Sequence, residues 1–119
     1  MIDEFSWFVG LYEGEGTLYS PPSYNGVRMR IRITDYDTAL RPARFLGVKP
    51  LKDTRIRKDG TKKEYFPDHH KDMWEVTKSG GCKKGFLFNL YQKMYPHLSL
   101  HRREQIDNTY KNAIEKLKL

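Results

Sequence analysis

At 119 residues the chain has room for one domain, spanning 1–119, and none for a second. Its 38% hydrophobic and 31% charged side chains exclude a disordered chain and a membrane protein, and the acidic start Met1-Ile2-Asp3-Glu4 lacks the basic and apolar regions of a secretory signal, so an intracellular globular domain is expected. The net charge of +7 is segregated, with −4 over residues 1–27, +8 over 28–84 and +3 over 85–119, which points to a polyanionic partner or to a solubilising surface.

In chain order, Phe5, Phe8, Val9, Leu11 and Tyr12 predict a helix from Asp3 to about Glu13, capped by Asp3 and apolar on nearly every side. Gly10 and Gly14 lie four apart on one face, where a second backbone can come close. Gly16 ends the helix, and Thr17-Leu18-Tyr19, Pro21-Pro22 and Asn25-Gly26 then read as strand and turn. The next strand has the clearest period of two: Val27, Met29, Ile31 and Ile33 on one face, Arg28, Arg30, Arg32 and Thr34 on the other. Arg28 and Arg32 are then about 13 Å apart at ~3.3 Å per residue.

A short helix is predicted from Asp35 or Asp37 to Leu46, stopped by Gly47, with Pro42 tolerated in its first turn. Leu51 to Lys58 reads as a third strand, Asp59-Gly60 as a turn, and Met73 to Thr77 as a fourth strand with Trp74 and Val76 inward. Leu51 and Ile56 share a face only with a bulge. Phe86, Leu87, Leu90, Tyr91 and Met94 space out a helix closed by Pro96, and a last helix runs from about Arg102 to Leu117. The predicted class is α+β, in the order α-β-β-α-β-β-α-α. A single cysteine, Cys82, excludes an internal disulfide and a four-cysteine zinc site.

The run Phe8-Val9-Gly10-Leu11-Tyr12-Glu13-Gly14-Glu15-Gly16 resembles the nine-residue signature of the LAGLIDADG homing endonucleases. Gly10, the acids Glu13 and Glu15, the small residue Gly14 and the final Gly16 agree. Phe8, Val9, Tyr12 and the use of Glu for Asp depart from it. The segment Tyr95 to Gln105 is also similar to that family's basic stretch after the second long helix. The resemblance implies a four-stranded antiparallel saddle sheet within an α-β-β-α-β-β-α fold followed by C-terminal helices. Single-motif proteins of this kind pair through the signature helix, so Gly10 and Gly14 would line a homodimer seam. The implied activity is metal-dependent cleavage of double-stranded DNA at a long pseudo-palindromic site.

Under that resemblance Glu15 holds Mg²⁺ or Mn²⁺, helped by the Gly14 carbonyl, both being oxygen donors. A basic side chain near the scissile phosphate falls on His101 or Arg102, depending on the end from which the segment is counted. Asp35 either orders water or metal, or caps the helix that follows it. Strand alternation puts Thr17, Tyr19, Arg28, Arg30, Arg32, Lys52, Thr54 and Glu75 on the implied DNA-binding face, where Arg can read guanine and Glu75 can accept from cytosine or pair with an Arg. Lys58, Lys62, Lys63, Lys71, Lys83 and Lys84 fall in loops suited to phosphate contact or to solubility. A DNA-binding regulator without cleavage, or an intron maturase, would use the same fold and need no acid at 15. Asp68-His69-His70 with Cys82 fits no zinc-ligand spacing, since adjacent histidines in a strand point to opposite faces.

Overall fold

The computed structural model describes residues 3–53 and 73–117, with α1 at Glu4–Glu15, β1 at Gly16–Tyr19, β2 at Val27–Ile33, α2 at Tyr36–Leu46, β3 at Leu51–Asp53, β4 at Met73–Gly80, α3 at Phe86–Met94, a 3-10 turn at Tyr95–His97 and α4 at Leu100–Lys116. The class is α+β and the element order is the one expected. The sheet runs β1-β2-β4-β3, with β1 antiparallel to β2 and β3 antiparallel to β4. Among the described residues no helix is long and apolar enough to cross a membrane. Cys82 is buried and free. Thr54, the Asp59-Gly60 turn, the lysines from 58 to 71 and Asp68-His69-His70 lie outside the described residues.

Internal contacts divide the chain into two compact units, residues 1–31 with 77–119 and residues 32–76. In the first, α1 starts on Asp3, whose carboxylate accepts the Ser6 N–H at 2.8 Å and is held below the ordinary carboxylate range by that bond. Phe8, Val9 and Tyr12 are buried while Phe5 and Leu11 are half-covered, so within one chain α1 buries a stripe and leaves Gly10 and Gly14 exposed. The β1–β2 hairpin pairs Gly16 with Ile31, Thr17 with Arg30, Leu18 with Met29 and Tyr19 with Arg28. Leu18, Val27, Met29 and Ile31 are buried, which realises the period-two pattern of β2. Helix α4 lies against the hairpin: the Thr109 hydroxyl, with one proton to give, lies 2.8 Å from the Gln105 carbonyl and 3.2 Å from that of Leu18, and Lys116 Nζ donates to the Pro21 carbonyl at 2.8 Å.

Several boundaries differ from the sequence reading: α1 runs to Glu15 rather than about Glu13, and β4 reaches Gly80 rather than Thr77. Helix α4 begins at Leu100 rather than Arg102, because Ser99 is its N-cap and accepts the Arg102 N–H at 3.2 Å. Leu100 is 79% exposed and so contributes nothing to an apolar period. Phe86 opens α3 at the surface, 52% exposed, with Lys78 over its ring. Tyr12, Tyr91 and Tyr110 fill the interior beside these helices, with ring centroids 5.4 Å apart for the first two and 5.9 Å for the last two. Burial pushes the Tyr12 hydroxyl up to about 12 and that of Tyr91 well above its ordinary value.

In the second unit, α2 buries Ala39, Pro42, Ala43 and Leu46. Pro42 stands in the second turn, not the first, so the helix there does without one N–H donor. Gly47 adopts the left-handed conformation with φ of 71°, and its N–H reaches the carbonyls of Ala43 and Arg44 while Val48 N–H bonds Ala43 at 2.9 Å. Trp74 packs edge-on against Tyr36, centroids 4.6 Å apart. Strand β3 pairs Leu51 with Glu75, Lys52 with Trp74 and Asp53 with Met73.

Candidate functional site

The end of α1 is shaped by a glycine and an aromatic ring. A Cβ on Gly16 would collide with the Tyr12 ring, so the chain leaves the helix there only as glycine. Gly16→Ala is expected to cost about 1–3 kcal/mol, as overpacking does, read as a lowered denaturant midpoint with an unchanged slope. Gly10 and Gly14, in contrast, have nothing within 4 Å of an added Cβ. Their glycines are not required by packing inside one chain.

The two acids of this turn are used differently. Glu13 accepts the Ser99 N–H at 2.6 Å and the Ser99 hydroxyl at 3.0 Å, and lies 3.6 Å from Arg102 Nε. Its carboxylate therefore faces the N-terminus of α4, where the helix dipole favours an anion. Glu15 is exposed and makes no hydrogen bond or ion pair among the described residues. The next carbonyls, those of Glu13 and Gly16, are held by Arg102 through Nε at 3.0 Å and Nη1 at 2.6 Å. The Arg102 guanidinium also stands over the Tyr12 ring, 5.9 Å from its centroid.

This geometry separates the two basic candidates. Arg102 is part-buried and committed to the end of α1, whereas His101 is exposed, with Nε2 3.2 Å from Gln105 Nε2. Asp35 is the N-cap of α2, accepting the Thr38 N–H at 2.9 Å and its hydroxyl at 2.6 Å. These two bonds make it a helix cap. Asp35→Ala is expected to lower stability by about 1 kcal/mol, and Asp35→Asn, which keeps an acceptor, to restore it in thermal melts.

The Glu15 carboxylate and the Gly14 carbonyl at the α1 end are oxygen donors and so fit a hard cation in kind. They fall short in number. Among the described residues no group of three His, Cys, Asp or Glu could hold a metal.

The basic face of the hairpin lies in the first unit. Thr17, Tyr19, Arg28 and Arg30 share it by register. The Arg30 guanidinium stands 5.1 Å from the Tyr19 ring centroid, and Arg28 stands 5.8 Å from that of Tyr24 while its Nε donates to the Ser79 hydroxyl at 2.9 Å. Tyr24 and Ser79 were not expected here. Ser79 lies four residues beyond Glu75 along β4, an even spacing that alternation would have found had the strand been taken past Thr77.

In the second unit Arg32 Nε lies 3.5 Å from Glu75 Oε1, both side chains partly exposed. Of the two uses open to Glu75, it makes the pair. Lys52 is corrected: it stands opposite Trp74, and Leu51 opposite Glu75, so Lys52 projects to the other face of the sheet. Leu51, 59% exposed, takes the place expected for Lys52.

A cavity of about 350 Å³ beside α3 and α4 is lined by Phe88, Tyr91, Gln92, Tyr95, Asp107 and Tyr110 among others. Its one acid, Asp107, accepts the Tyr95 hydroxyl at 2.7 Å. Comparison with protein-family models, with curated proteins and with solved structures returns no match.

Proposed function

We propose that the chain is a divalent-metal-dependent endonuclease for double-stranded DNA, of the LAGLIDADG type that its signature run resembles, acting as a homodimer. The observation that carries this reading is the contrast at the end of α1, where Glu13 is tied to Ser99 while Glu15 projects with no partner among the described residues. An acid kept out of the fold's own bonding, beside glycines, is suited to a ligand. Two copies meeting through the exposed Gly10 and Gly14 face would bring two Glu15 carboxylates together, one for each strand to be cut.

Bound Mg²⁺ or Mn²⁺ supplies Lewis acidity toward the scissile phosphate and lowers the pKa of a coordinated water. Glu15 and the Gly14 carbonyl would hold it. Arg28 and Arg30 offer guanidiniums to phosphates or guanine edges, steadied by the rings of Tyr24 and Tyr19. Glu75 matches part of the Arg32 charge, 3.5 Å away. His101, exposed at the first turn of α4, is the basic candidate that the fold does not hold against α1.

The test is incubation of purified protein with a randomised duplex library and Mg²⁺, with a chelated control, and sequencing of the ends. Recurrent ends present only with metal support the reading. Retention of duplexes without any cutting replaces it with a DNA-binding regulator on the same arginine face.

A further inference from the structure

We infer that Arg102 is a positioning residue for Glu15, holding the last turn of α1 from both sides of that acid. This rests on the reading of Glu15 as the metal-holding group. The Arg102 fork spans the residue. Nε takes the carbonyl two positions before Glu15, at 3.0 Å, and Nη1 takes the carbonyl one position after it, at 2.6 Å. A third donation, from Nη1 to Gln105 Oε1 at 3.1 Å, fixes the guanidinium along α4. Three of the five N–H donors of the planar group are thus engaged within the chain, and the Tyr12 ring lies 5.9 Å from its centre.

The carbonyls of a helix's last turn have no partner inside the helix, and an end without one frays. Here the Gly16 N–H returns to Tyr12, and Arg102 takes the carbonyls of Glu13 and Gly16. The backbone carrying Glu15 is therefore held two residues before it and one after. Its side chain stays free, as a metal ligand must before binding. Glu13 completes the fastening through both polar groups of Ser99, so α4 is locked to the same turn from the other direction.

The decisive variant is Arg102→Lys, which keeps the charge and loses the fork. The probe is Mn²⁺ added to the protein alone, read as paramagnetic broadening of the Gly14, Glu15 and Gly16 amide signals of the folded state. The expected result is broadening in the native chain and a requirement for roughly 10- to 100-fold more Mn²⁺ in Arg102→Lys, as for other groups that orient a metal ligand. Glu13→Gln, the second variant should Arg102→Lys not fold, is expected to shift the same curve in the same direction by less. Superimposable Mn²⁺ curves for native and variant chains overturn the positioning role, because loss of stability alone does not alter signals from folded molecules. If the native chain shows no broadening there, the metal reading fails by itself. Hydrogen exchange at the Gly14 to Thr17 amides then decides the rest: faster exchange in Arg102→Lys keeps the pin, and equal rates remove it.

Discussion

Glu15→Gln is expected to abolish DNA cleavage, lowering the rate by roughly 10³-fold or more, while duplex binding stays within about twofold of the native chain. The substitution removes one negative charge and keeps the side chain's length, so it withdraws an anionic metal ligand without enlarging or emptying any packed space. Glu15 is exposed and its carboxylate bonds nothing else among the described residues, so the fold loses no contact with it. The control is Glu13→Gln, in which a carboxylate that meets Ser99 and Arg102 is weakened and stability falls. Cleavage assays on duplex selected from the library, paired with gel-shift affinities, check both halves. An active Glu15→Gln protein would reject the assignment of the metal to this acid.

The second large effect is expected from replacing Arg28, Arg30 and Arg32 together by Ala. Each phosphate-type contact contributes about −0.9 to the slope of log affinity against log salt, so losing three flattens it by close to 3. Between 50 and 200 mM salt the variant's affinity would then fall roughly 40-fold less than that of the native chain. The contributions are not equal. Arg32 already faces Glu75 at 3.5 Å, so part of its charge is matched before DNA arrives, whereas Arg28 is met by the Ser79 hydroxyl and the Tyr24 ring. Single substitutions should therefore rank Arg28 above Arg32. Affinity measured by fluorescence anisotropy across that salt range provides the check, and an unchanged slope would argue against this strand facing DNA.

How far the residues alone disclose this arrangement depends on the range of each interaction. Strand β2 was legible because alternation is a local property of seven consecutive side chains, and Val27, Met29 and Ile31 are fully buried as that period requires. The acid at 15 was legible from a nine-residue run. The role of Arg102 was not, since the carbonyls it holds lie 86 and 89 positions away in the chain. Nor was the start of α4, where Ser99 is followed by exposed Leu100 and His101 and no apolar spacing marks the first turn. The face of Lys52 was misread because register between β3 and β4 is set by pairing: Leu51 opposite Glu75 sends the next residue to the other side.

The fastening between α1 and α4 has a sense of direction. A helix ends in electron-rich carbonyls and begins in electron-poor amides, and here the cation sits where the first helix stops and the anion where the last one starts. Exchanging the two side chains would keep their mutual attraction and turn each against the peptide dipoles it meets. Electrostatic polarity of the backbone thus dictates which of the two positions carries the acid, a constraint that a count of opposite charges would never reveal.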